Sequence, residues 1–140
     1  MSETRVGPGV AAGISEAMIQ RLVHAFYDRV RQDAVLGPVF EAAIGGAWAA
    51  HLSKLCDFWS SVLLMTGRFK GSPMAVHVRT PGIKIEHFDR WLELFEATAS
   101  EICPAPAAEL FVSKARMIGQ SLRLGLAAAR GTLLRDPQAS

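Results

Sequence analysis

The stretch Pro73-Met74-Ala75-Val76-His77, following Gly67 and Gly71, ends a short, proline-started apolar turn on a histidine. Long segments of helical periodicity lie on either side. One neutral imidazole on an apolar wall, with no second metal-ligating side chain beside it, suits the axial position of an iron already held by a planar ring. A haem brings four nitrogens of its own and needs from the protein one ligand and a dry slot. Taken alone, the same pattern more often marks a packed or surface histidine.

Other chemistries lack their residues. No H-E-x-x-H or E-x-x-H is present for zinc or a di-iron pair, and no Cys-x-x-Cys for zinc, thiol redox or covalent haem attachment. No G-x-x-x-x-G-K-[ST], G-x-G-x-x-G or G-x-S-x-G is present either. His51 and Cys56 are five residues apart, about 140° around a helix, so they face different ways and make a poor nucleophile pair. Tyr27, His51, His77 and the tryptophans are left as the ligand-capable groups near apolar faces.

The elements that carry them are all helical in period. Ser15 is a plausible N-cap, and Ile19, Leu22, Val23, Phe26 and Val30 form one stripe up to about Gln32. Tyr27 falls about 80° from Ile19, at the stripe's border, whereas His24 falls about 140° away on the solvent face. A border tyrosine keeps its ring packed while its hydroxyl reaches a cavity. Leu36-Gly37-Pro38-Val39-Phe40 reads as a helix stop that reinserts apolar bulk. A second long helix is expected from about Ala47 to Met65, burying Trp48, Leu52, Leu55, Trp59, Val62 and Leu63, with His51 and Phe58 on one shoulder. The third runs from about Glu86 to Ile102 with Phe88, Trp91, Leu92 and Phe95 inward. The fourth runs from about Ala107 to Arg130 with Phe111, Ala115, Ile118, Leu122 and Leu126 inward. Pro104 and Pro106 separate the last two. The result is an all-α domain.

Composition sets the outer bounds. The 140 residues are 50% hydrophobic and 20% charged with net charge +2, which suits one cored domain. Basic residues are scattered, with no stripe interleaved with aromatics, so no nucleic-acid partner is expected. No apolar run is long enough for a membrane span. The opening SETRVGPGVAAG lacks the apolar core of an export signal, and Cys56 and Cys103 are isolated, so the expectation is a cytoplasmic protein with reduced thiols. Residues 1–14 and 131–140 read as flexible extensions around a domain spanning 15–130.

Five segments, in this order, carry a resemblance: Phe26-Tyr27-Asp28-Arg29-Val30; Leu36-Gly37-Pro38-Val39-Phe40; Trp48-x-x-His51 with Phe58-Trp59; Gly71-Ser72-Pro73-Met74-x-x-His77; and His87-Phe88-Asp89-Arg90-Trp91-Leu92-x-Leu94-Phe95. Together they resemble the group III truncated haemoglobins over roughly residues 15 to 130. The resemblance implies a shortened globin, two helices over two around a non-covalently bound haem b (iron protoporphyrin IX). It makes His77 the proximal iron ligand through Nε2, Tyr27 and Trp91 distal donors, and His51 a distal histidine that either contacts ligand or swings outward. Phe40, Leu55, Phe58, Met74 and Phe88 would line the haem, and Lys54 and Arg79 would pair with its propionates. His87 reads as a surface or capping residue.

The implied function is binding of O2, NO, CO or peroxide. Two donors converging from separate helices would slow oxygen release by roughly 10²–10⁴-fold if additive. Such retention favours nitric-oxide dioxygenase or peroxidase-like chemistry over transport, with an unidentified reductase as partner. The competing readings are a haem-based oxygen sensor acting through a separate partner, and a helical interaction module without cofactor.

Overall fold

The computed structural model describes residues 7–69 and 84–135, with side chains to residue 128. The expectations for Met74, His77 and Arg79 lie outside the described residues. All regular elements among the described residues are helices: α1 Pro8–Ala11, α2 Glu16–Gln32, α3 Leu36–Ile44, α4 Trp48–Leu64, α5 Ile85–Ile102 and α6 Ala105–Arg135. Helix α2 packs on α3, α4 and α5, and α5 lies along α6. The pair α2/α4 over α5/α6 is the expected two-over-two arrangement. None of the described helices is long and apolar enough to cross a membrane.

The stripe on α2 is buried as its spacing requires: Ile19, Leu22, Val23, Phe26 and Val30 are at most 1% exposed. Ser15 caps the helix by accepting the Met18 N–H. Inward-facing Phe95 of α5 and Phe111 of α6 complete the core with Trp59 of α4. Cys56 and Cys103 are free thiols, and burial pushes both up from the ordinary thiol range.

Three segments differ from the sequence reading. Gly37-Pro38 does not stop a helix; it lies in the first turn of α3. Proline is tolerated there because the first N–H groups of a helix have no intrahelical acceptor. Gly37 is needed for close approach, since a Cβ at that position would stand 2.7 Å from the Arg31 carbonyl oxygen. At the N-terminus, residues 7–14 of the segment read as an extension form α1 and its following turn, seated on α4. A Cβ on Gly7 would lie 2.2 Å from the Leu63 carbonyl oxygen, so a glycine allows the contact. At the other end, α6 continues past Arg130 to Arg135.

Asp33 organises the α2–α3 corner. Its Oδ2 accepts the Val35 and Leu36 N–H groups at 3.0 and 2.9 Å, starting α3. Its Oδ1 accepts Arg90 Nε and Nη2 of α5 at 3.0 and 2.6 Å. The carboxylate is 7% exposed. The Arg90 hydrogen bonds, helped by those two backbone donors, hold its pKa below the usual aspartate range. A lowered native pKa means stability that is full above the unfolded value and lost as pH falls through the native one. Asp33→Ala should therefore cost about 2 kcal/mol at pH 7 by chemical denaturation. The gap from wild type should narrow below about pH 4. An equal gap at pH 7 and pH 3 would contradict this account of the corner.

Candidate functional site

Tyr27 follows fully buried Phe26 on α2 and is itself 5% exposed. Its ring is enclosed by other rings. Phe26 stands edge-on at 4.6 Å, Phe40 of α3 at 5.9 Å, and Trp48 and His51 of α4 at 6.2 and 5.9 Å. From α5, Trp91 Nε1–H donates to the Tyr27 hydroxyl at 3.3 Å. The oxygen is thus engaged as an acceptor, which leaves the phenol proton to donate in another direction.

Trp91 is held by stacking. Its ring lies 5.5 Å from Phe95 and nearly parallel, at 11°, and Phe95 lies 5.4 Å from Trp59 at 9°. Phe26 meets Trp91 and Phe95 edge-on, at 5.6 and 5.0 Å. An indole seated in such a stack has little freedom to turn, so its N–H points at one place.

His51, read as a shoulder residue able to turn either way, has its ring perpendicular to those of Tyr27 and Trp48, and its Nε2 atom is buried. Below it on α4, Leu55, Phe58 and Val62 repeat at i+4, i+7 and i+11 and are only half-buried, while Trp59 and Leu63 beside them are buried. This is an apolar flank with a cluster of N–H and O–H groups at its upper end. Phe40 borders the same cluster.

Other expected site residues fall elsewhere. Phe88 is buried in a second apolar cluster with Leu122 and Leu126, against which Val39, Ile85 and Ile118 pack. Lys54 is exposed on α4. His87 is 9% exposed, and its Nδ1 accepts the Lys84 N–H at 2.9 Å, so it caps α5. Among the described residues no three His, Cys, Asp or Glu side chains come together to hold a metal by themselves.

The sequence reading put Trp48 on the buried face and in the Trp48-x-x-His51 motif but gave it no part in the site. Its ring contacts both Tyr27 and His51, and Arg31 lies over it, with Cζ 4.6 Å from the ring centroid. The signal was present: Trp48 and His51 are three residues apart, one turn along the same face.

Burial pushes the Tyr27 pKa up to about 12, and the Trp91 hydrogen bond offsets only part of that. The phenol therefore keeps its proton, and with it a donor, throughout neutral and moderately alkaline pH. A raised native pKa gives stability that is full below the unfolded value near 10 and lost as pH climbs through the native one. Wild type should lose about 2–3 kcal/mol relative to Tyr27→Phe between pH 10 and 12, measured as paired denaturation curves. Parallel curves across that window would mean that the hydroxyl is not buried as described.

No family model matches the chain. A group 3 truncated hemoglobin of Campylobacter jejuni is 34% identical over 108 residues, which cover 75% of this chain and 85% of that protein. The crystal structure of group III truncated hemoglobin from Campylobacter jejuni matches with a TM-score of 0.77 at 33% identity, covering 81% of this chain and 91% of that one. One-third identity across most of both chains, on the same arrangement of helices, exceeds what a shared helical fold alone would produce. The chain belongs to the group III truncated haemoglobins.

Proposed function

We propose that this chain is a haem protein that binds diatomic ligands at a five-coordinate iron, and that it carries out chemistry on them in preference to transporting oxygen. The observation that carries the proposal is the hydrogen bond from Trp91 to buried Tyr27. The cofactor would be haem b, held without a covalent link, with His77 as its axial ligand. The described residues fit such a group. Leu55, Phe58 and Val62 offer an apolar flank for a flat ring, and the N–H and O–H donors gather at one end of it. The buried Trp48 Nε1–H has no acceptor among the described residues, which suits a site completed by something the chain does not supply.

When bound, haem supplies an iron that takes O2, NO or CO and passes electron density onto it. The chain's own part is to meet that density with a donor. Tyr27 and Trp91 act in series: Trp91 donates to the phenol oxygen, and Tyr27 donates onward. The first bond orients and polarises the second, a cooperative gain of about 10–30% per bond. Burial of Tyr27 strengthens its part of the relay, because little water competes for its hydroxyl. Lys54 and Arg79 remain our candidates for the propionates, with Phe40 and Met74 along the edges of the ring.

Slow ligand release follows from this arrangement and favours nitric oxide oxidation or peroxide activation, with a separate reductase restoring ferrous iron. The same reading puts the protein in the cytoplasm, where free thiols such as Cys56 and Cys103 persist.

The series arrangement makes a sharper prediction than two independent donors. Tyr27→Phe removes the charge-assisted bond and should speed oxygen release by roughly 10–150-fold. Trp91→Phe removes only its support and should speed release by about 2–10-fold. The double variant should release no faster than Tyr27→Phe. Stopped-flow oxygen displacement measures all three, and additive effects would contradict the relay. The iron ligand is tested by His77→Gly: its ferrous–carbonyl spectrum should lose histidine-type features and regain them with added imidazole. A colourless wild-type protein that refuses haemin would end the proposal.

A further inference from the structure

We infer that Trp48 is an additional hydrogen-bond donor of the distal site and that it selects small anions, such as nitrite or azide, which carry an acceptor atom beyond the one bound to iron. The inference rests on the haem reading above and concerns which ligands that site prefers.

Trp48 begins α4 and is 7% exposed, and its Nε1 atom is buried with no hydrogen-bond partner among the described residues. An indole N–H only donates; it has no tautomer and no lone pair with which to adapt. Burying such a donor unmet costs roughly a factor of ten in the folding equilibrium. A phenylalanine would pack the same corner without that cost. The donor is therefore best explained by an acceptor that arrives from outside.

Its ring neighbours are two residues of the site described above. The rings of Trp48, Tyr27 and His51 close a nearly equilateral triangle, with centroids 6.2, 5.9 and 5.9 Å apart. Each of the three carries polar hydrogen-bonding atoms on an otherwise apolar ring. Trp48 is also held in place. The Arg31 guanidinium lies 4.6 Å over its face, while Arg31 Nε donates to Glu41 Oε2 at 3.0 Å. This clamp from α2 and α3, an ion pair laid over the ring, fixes the indole plane. A fixed N–H donor favours an anion over a neutral ligand, because a hydrogen bond to a charged acceptor is the stronger one. Carbon monoxide, a neutral and poor acceptor, gains little from it.

The test uses ferric haem-loaded protein titrated with azide and with nitrite, and the ferrous form titrated with carbon monoxide. Trp48→Phe should weaken both anions by roughly ten- to a hundredfold, leave carbon monoxide affinity little changed, and unfold at the same temperature as wild type or higher. A change in packing alone would move the anions and carbon monoxide together. Haem-loaded Trp48→Phe with wild-type anion affinity would overturn the inference and leave the haem reading intact. A wild-type chain that takes up no haem would remove both. Should Trp48→Phe fail to fold, ultraviolet resonance Raman of Trp91→Phe decides the matter. Azide must then shift the indole N–H marker of a remaining tryptophan, and no shift overturns the inference.

Discussion

The parallel stack of Trp59, Phe95 and Trp91 is the constraint from which the rest of the site follows. Rings from α4 and α5 lie face to face at 5.4 and 5.5 Å, and Phe26 of α2 and Phe111 of α6 close the sides edge-on. Aromatic rings bury large areas and tolerate only certain offsets, so the stack sets helix spacing and ring orientation together. Because Trp91 is its outer member, the direction of one indole N–H is decided by the core. The hydroxyl of Tyr27 is met there, and the chemistry of the site depends on packing that looks purely structural.

Buried polar groups elsewhere in the frame show how unusual the corner at Trp48 is. Thr98 is fully buried, donates to the Leu94 carbonyl at 2.7 Å and accepts Arg29 at 3.2 Å. Ser60, also fully buried, donates to Glu16 at 2.7 Å, tying the start of α2 to the end of α4. Asp33 meets two backbone donors and one guanidinium. Each satisfies the rule that a buried polar group finds its partner. Against that background, a buried indole N–H with no acceptor among the described residues stands out.

Much of the fold was legible because helical period is a local property. The stripe Ile19, Leu22, Val23, Phe26 and Val30 specifies a buried face without reference to any other residue, and α2, α4 and α5 start and end close to where the pattern says. Helix α3 was missed for a physical reason. Gly37-Pro38 usually breaks a helix, but here an upstream carboxylate, Asp33, supplies the cap and Arg90 from α5 holds that carboxylate in place. Helix α1 was missed because four residues of Gly, Pro, Val and Ala carry no period. Its docking depends on glycines lying against the Leu63 backbone, which is a tertiary contact.

The candidate site divides along the same line. Residue types and order alone determined the all-α class and carried the resemblance to the family, and they marked Tyr27, His51, His77 and Trp91 as the ligand-capable residues to examine. Only the tertiary structure decided how they act on one another. Tyr27 and Trp91 are 64 residues apart in the chain, so no local pattern could show that one donates to the other. Nor could the pattern show that His51 turns toward Tyr27, or that Trp48 brings a third ring to the same place under an arginine from α2. Those relations are set by the angle at which packed helices cross, and that angle is decided by how their aromatic side chains fit together.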